Sequence, residues 1–401
     1  MTKNTFVFLA VTGLILRIIF SFLIPNFKGN DEPAHLRYAQ HITAEKKLPN
    51  LHNYPTESPA GNEYFQPPFY YTLLAPLITL NDNPSLQLHI ARVVSIIIWA
   101  VGFCFAFKLI SIINLPQPHN TVVLAFLALL PTYIANSSTA NNDTLTTTLS
   151  IITFLYVAKL LSQELTFVKL LALSTLISLT ILTKITGVIF LPAAIWLIYF
   201  KTKGINRKFI TNTALFIAST TLLTGWWFLY NFLTYQNYLG PIDASTSTFT
   251  NIPPGAYKLY LILRGTFFTF WAAYGPANQI RLPLFTYIFL LVLTIFPILG
   301  FCLSLYKVLR KKAKMPINKK YFYTLLIVLS TNIFLLLAFN IHQHQPLGRY
   351  LYPSLFSIAL FWSIGLNIFL PKRIHKYLPK LVITLLLCLN FLGVITLTNH
   401  Y

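Results

Sequence analysis

The chain has 401 residues, 55% of them hydrophobic and 15% aromatic, with only 10% charged and a formal net charge of +21. That much apolar surface cannot be hidden inside a water-soluble domain, which leaves a polytopic membrane protein. The excess of bases does not point to nucleic acid, because the bases gather in short loops between apolar runs, the pattern that sets membrane topology.

Runs of about 20 apolar residues mark helices that cross a bilayer. In chain order they are 5–24, 89–113, 121–135, 145–161, 168–183, 185–200, 209–229, 284–306, 321–340, 350–370 and 381–397. The expected fold is therefore all-α, with about eleven transmembrane helices in a single domain, 1–401. No small-x-small site precedes Pro25, so the first run is expected to be a retained helix and not a cleaved signal peptide. Two long polar stretches, 25–88 and 231–283, are too short for separate domains and read as loops carrying amphipathic helices on the membrane surface. The sequence leads us to expect no soluble domain at the carboxy terminus. Cys104, Cys302 and Cys388 each lie in an apolar run, as small packing residues do.

The loops also vote on orientation. KTKGINRK, KVLRKKAKMPINKK and PKRIHKYLPK fall on one side and, with the short turns beside them, hold a single acid, Glu164. The other eight acids, from Asp31 to Asp243, fall on the opposite side. Bases mark the cytoplasmic face, so the amino terminus is expected in the cytoplasm and both long polar stretches outside, in a plasma (inner) membrane.

Candidate chemistry follows the same order along the chain. Arg17, in the outer half of the first run, is an intramembrane charge and thus a site candidate. Asp31 and Glu32 stand at the exit of that run, opening the stretch DEPAHLRYAQHI with Pro33 in its first turn. On a helix there, Asp31, His35 and Tyr38 share a face. Two adjacent acids read as a general base or a metal ligand; the alternative is an acidic helix start in which Asp caps. Gln66-Pro67-Pro68-Phe69-Tyr70-Tyr71 opens another amphipathic segment. Asn141-Asn142-Asp143 either caps the fourth run or adds an acid on the face that holds Asp31.

Lys184 sits between two apolar segments of about 16 residues, short enough to stop below the surface, and a buried ammonium there calls for an anionic partner such as phosphate. Arg349 and Tyr350, in GRYLYP, lie at a helix start suited to clamping a phosphate. His342 and His344 have a metal-like spacing but no third ligand nearby. Aromatic stretches 225–231 and 267–275 fit a membrane-interface belt or a groove for a lipid chain or sugar.

Together these stretches resemble, in pattern and order over nearly the whole chain, the GT-C type integral-membrane glycosyltransferases, which include protein O-mannosyltransferases and the aminoarabinose transferases of lipid A. The match runs through Arg17, Asp31-Glu32 with His35 and Tyr38, Gln66-Pro67-Pro68-Phe69-Tyr70-Tyr71, Asn142-Asp143, Lys184-Ile185-Thr186-Gly187, Gly225-Trp226-Trp227 and Gly348-Arg349-Tyr350-Leu351-Tyr352-Pro353. The resemblance implies a polyprenyl-phosphate-linked sugar donor, and a glycan, lipid or protein as acceptor. It also implies a catalytic acid in the first outer loop, with Asp31 as base and Glu32 supporting it. Lys184, Arg349, His35, Tyr38, Asp143, Tyr350, Gln66 and Arg17 are then the expected substrate contacts. A divalent metal ion, if one is used, would fall to Asp31, Glu32 and Asp143. The rival reading is a transporter or flippase for an amphipathic or anionic solute. It accounts for Arg17, Lys184 and the broken spans, although the two halves of the chain show no repeat.

Overall fold

The computed structural model describes residues 3–53, 63–240, 252–312, 314–342 and 345–401. Helices follow one another almost without interruption. α1 (Lys3–Leu23) leads to the first polar stretch, which folds into α2 (Glu32–Glu45) and α3 (Phe69–Ile78). α4 (Pro84–Ile112) starts where Asn83 accepts a hydrogen bond from Ser85 N at 2.9 Å, with proline in the first turn. α5 (His119–Leu129) and α6 (Pro131–Ser137) form a pair bent by 49° at Leu130-Pro131, where proline cannot continue the ladder. α7 (Asp143–Leu160), α8 (Phe167–Thr183), the 3-10 turn Ile185–Ile189, α9 (Phe190–Thr202) and α10 (Arg207–Tyr235) follow. The second polar stretch contains α11 (Ala256–Trp271) and a two-residue antiparallel ladder pairing Ala273 with Arg281. α12 (Leu284–Leu309), α13 (Lys319–His342), the 3-10 segment Gly348–Ser354, α14 (Leu355–Phe369), α15 (Lys372–His375) and α16 (Leu378–His400) complete the chain.

Eight described helical segments are long and apolar enough to cross a membrane, nine if α5 and α6 count as one span. The protein is an integral membrane protein, but the expected eleven spans are not reached by that measure. α8 has only 17 residues, and α7 opens with DTLTTTLS, whose hydroxyls face other helices and not lipid. Every residue of α5 is buried, so α5 is the axis of the bundle, with α1, α4, α14 and α16 around it. α10 and α12 stand outside and leave Leu222, Leu233, Leu284 and Phe285 open, as a lipid-facing surface requires. The three cysteines are free, but they are exposed on this outer surface and do not pack the core as expected. α12 and α14 approach at a glycine pair, where a Cβ on Gly300 would overlap the Gly365 carbonyl and one on Gly365 would overlap that of Pro297.

A second, smaller apolar cluster seats the first polar stretch. Leu36, Tyr38 and Ala39 of α2 and Tyr70, Tyr71, Leu74 and Ile78 of α3 pack with Leu88 and Ala91 of α4 and Leu145 and Leu149 of α7. α2 and α3 are thus bolted onto one end of the bundle, where the segments before α7, between α8 and α9, and before α14 also emerge.

Candidate active site

Four chain segments meet at that end. Asp31 immediately precedes α2 with φ 57° and ψ 9°, in the left-handed region that aspartate tolerates better than most residues. It makes no side-chain capping bond, so the reading of Asp31 as a helix cap fails. Its Oδ2 accepts instead from Nη2 of Arg349, which stands at the start of the 3-10 segment Gly348–Ser354. Gly348 fixes that start, because a Cβ there would collide with the Phe270 backbone, and its N–H donates to Thr269 Oγ1 at 2.7 Å. Arg349 reaches on to Asp143, Nη1 to Oδ2, at 3.6 Å. Asp143 in turn accepts from Lys184 Nζ at 2.5 Å. Lys184 occupies the extended residue between α8 and the following 3-10 turn, the junction its flanking short segments predict.

The result is a chain of alternating charge, Asp31–Arg349–Asp143–Lys184, drawn from four segments remote in sequence. Lys184, Arg349 and Asp143 are nine-tenths buried or nearly so, whereas Asp31 keeps 33% of its side chain exposed and stays reachable. Arg349 Nε has no hydrogen-bond partner among the described residues. A buried guanidinium N–H without an acceptor is a donor that an anion would satisfy. Tyr350 walls this point, its ring 5.1 Å from Lys184 Nζ, and its hydroxyl donates to Gln345 Oε1 at 2.9 Å. Burial raises the Asp31 pKa, but nearby positive charge, that of Arg349 foremost, outweighs it, and the carboxyl is held below its ordinary value.

Behind Asp31, His35 Nδ1 is 2.8 Å from the Tyr71 hydroxyl, and burial pushes the imidazole down to about 4, so the ring is neutral at pH 7. Tyr38 is one turn further on. It stacks on Tyr71 at 3.8 Å and donates to the Gln66 carbonyl at 3.2 Å, so both its ring and its hydroxyl are engaged by protein. The Gln66 side chain accepts from Asn142 Nδ2 at 3.4 Å, linking the segment before α3 to the Asp143 loop.

Two expected site residues are placed elsewhere. Glu32 is fully buried and turned away from Asp31: Arg92 of α4 grips it bidentately, Nε to Oε1 at 2.8 Å and Nη2 to Oε2 at 2.7 Å. Consecutive residues at a helix start point in different directions, which is why the pair is split. Glu32 is therefore neither a second acid in the site nor a ligand beside Asp31. Arg17 is also fully buried and spent. It donates to Ser137 Oγ at 2.7 Å and to the carbonyls of Gly13, Ala128 and Leu127, with its guanidinium 3.6 Å from the Trp99 ring centroid. It satisfies the open carbonyl end of α5 at the α5–α6 bend.

Sequence reasoning left Glu63 and Arg92 without a role. Glu63 stands next to Asp31 and His35, and the three offer one ligand atom each within 4.8 Å of one another. By spacing, this set fits a divalent ion better than Asp31, Glu32 and Asp143 do, and Glu63 Oε2 has no hydrogen-bond partner among the described residues. Burial, with the Asp31 charge adding to it, pushes the Glu63 carboxyl up to about 7. No periodicity singles out Glu63. Arg92 could have been found, because a charge inside the apolar run 89–113 meets the criterion that flagged Arg17. The side chain of His342 and the whole of His344 lie outside the described residues, as do Glu57 and Asp243.

No protein-family model matches the chain, and no curated protein matches its sequence. Solved structures do match it. ArnT from Cupriavidus metallidurans in the apo state superposes with a TM-score of 0.54 at 14% identity, covering 94% of this chain and 61% of that one. The same protein bound to undecaprenyl phosphate gives 0.53 at 12%, covering 100% and 76%. The Archaeoglobus fulgidus oligosaccharyltransferase in complex with Zn and sulfate gives 0.56 at 14%, covering 98% and 53%. The fold is that of the GT-C membrane glycosyltransferases. The chain spans 61% of the length of apo ArnT and about half of the oligosaccharyltransferase.

Proposed function

We propose that the protein is a membrane glycosyltransferase that moves a sugar from a polyprenyl-phosphate-linked donor to an acceptor hydroxyl on the extracytoplasmic face, with inversion. The observation that carries this reading is the pair of buried cations, Lys184 and Arg349, beside a partly exposed acid and with one guanidinium N–H lacking an acceptor among the described residues. Such a pair suits a phosphate at the end of a lipid, and the fold is shared with a protein solved with undecaprenyl phosphate.

Asp31 would act as the base. In the transition state the acceptor O–H proton passes to Asp31, and the acceptor oxygen bonds to the anomeric carbon. The carbon–oxygen bond to phosphate breaks, its electron pair leaving with the polyprenyl phosphate. Lys184 and Arg349 meet the charge that develops on that phosphate. A donor phosphate that takes over Arg349 also loosens its hold on Asp31, which raises the proton affinity of the carboxylate as the donor binds. Neutral His35, hydrogen-bonded to Tyr71, borders Asp31 without adding charge. Asp31, His35 and Glu63 would hold a divalent ion, which when bound would supply positive charge at the acceptor oxygen. No step above depends on it.

The test is release of polyprenyl phosphate from a panel of polyprenyl-phosphate sugars by detergent-solubilised protein, with membrane extract as acceptor source and with or without chelator. Cleavage of one donor class is expected. Silence across the panel, with solute crossing proteoliposomes intact, would overturn the reading in favour of a transporter.

A further inference from the structure

The acids that share Arg349 come from two segments, one before α2 and one before α7, and something must fix the distance between them. Arg92 lies in the third turn of α4, 1% exposed, against a Glu32 that is 0% exposed. All five of its N–H groups are used. Nε and one Nη2 hydrogen go to the Glu32 carboxylate, and the rest go to the carbonyls of Ser21 (2.5 Å), Ile24 (2.9 Å) and Pro25 (3.0 Å), where α1 ends. Glu32 has two further donors: Gly29 N–H reaches Oε2 at 3.3 Å, and Ala140 N–H reaches Oε1 at 3.0 Å. One ion pair thus ties together the end of α1, the residue next to Asp31, and the loop that delivers Asn142 and Asp143.

We infer that Arg92 is the positioning residue of the site: through Glu32 it fixes the two acids, Asp31 and Asp143, on either side of Arg349. The inference rests on the reading of Asp31 as base. Arg92 itself has no hydrogen-bonding capacity left for a substrate. The geometry demands arginine, because lysine is a point charge with three donors and cannot fork onto a carboxylate while holding three carbonyls. Exchanging the two charges would not restore the lock either, because a carboxylate at position 92 would face the carbonyls of Ser21, Ile24 and Pro25.

The experiment uses the full chain in detergent, with wild type beside Arg92→Lys and Glu32→Gln. Two readouts are taken, amide hydrogen exchange by mass spectrometry and steady-state transfer. In both variants, exchange should quicken in 29–36 and 139–144 together, because Glu32 is the shared acceptor of the Gly29 and Ala140 amides. Turnover should fall about 10–100-fold, since misplacing a reacting group by about an ångström costs that much. KM for the donor should stay within about twofold, because Lys184 and Arg349 are untouched. Loosening of one stretch alone, or of neither, overturns the inference whatever the activity. Loosening of both with unchanged kcat overturns the positioning role. If Arg92→Lys does not fold, Glu32→Gln carries both readouts. An inactive wild type would sink the transferase reading, whereas the exchange result stands apart from it.

Discussion

Glu63 is a carboxyl that its surroundings alter strongly. Its folded pKa, about 7, lies above the ordinary 4.5, so the folded state holds its proton more tightly than the unfolded chain does. Its contribution to stability is then complete below about pH 4.5 and lost as pH rises through 7. His35 works in the opposite sense. Held down at about 4, it contributes fully above its ordinary 6.5 and loses that contribution as pH falls. Glu63→Gln should therefore gain on wild type in thermal unfolding midpoint between pH 5 and 8, measured with chelator present; a constant gap would contradict the assignment. Residues such as these mark how far the sequence could be read. Asp31, Lys184, Arg349 and Asp143 were legible because charges are scarce in an apolar chain, and each lies at a break between runs. Glu32 satisfies the same rule, and Arg17 is as scarce a charge inside a run, yet both are spent on structure. Whether a buried charge meets a substrate or a protein partner depends on contacts 60 to 120 residues away, which local pattern does not carry.

At the scale of elements, apolar runs gave helices at every expected span, and two of the three segments that fall short of spanning length or hydropathy share a cause. α7 is polar where it enters the bundle, and the α5–α6 bend is covered by Arg17, so both lie inside protein where lipid-crossing rules do not apply. The α12–α14 contact depends on backbone approach at Gly300 and Gly365. Gly365→Ala should cost about 1–3 kcal/mol, as overpacking does, and lower the unfolding midpoint with donor KM intact in the folded fraction. Unaltered melting would mean that these helices have room to separate.

Over the whole molecule, the proposed site lies at the end of the bundle opposite the loop 371–377, since Gly348–Phe369 joins the two and is long enough to cross a bilayer. With the native cysteines replaced, Lys203→Cys should be labelled by an impermeant thiol reagent only after the membrane is opened, and Asp82→Cys in intact cells. The reverse would invert the topology and put the site on the cytoplasmic face. In the proposed reaction Asp31 takes the acceptor proton while Lys184 and Arg349 hold the lipid phosphate. The direct test is single-turnover release of polyprenyl phosphate from the donor class identified for wild type, compared with Asp31→Asn. A fall of about 10²- to 10⁴-fold is expected, the usual share of a general base, with donor affinity retained. Wild-type release by a folded Asp31→Asn protein would contradict it.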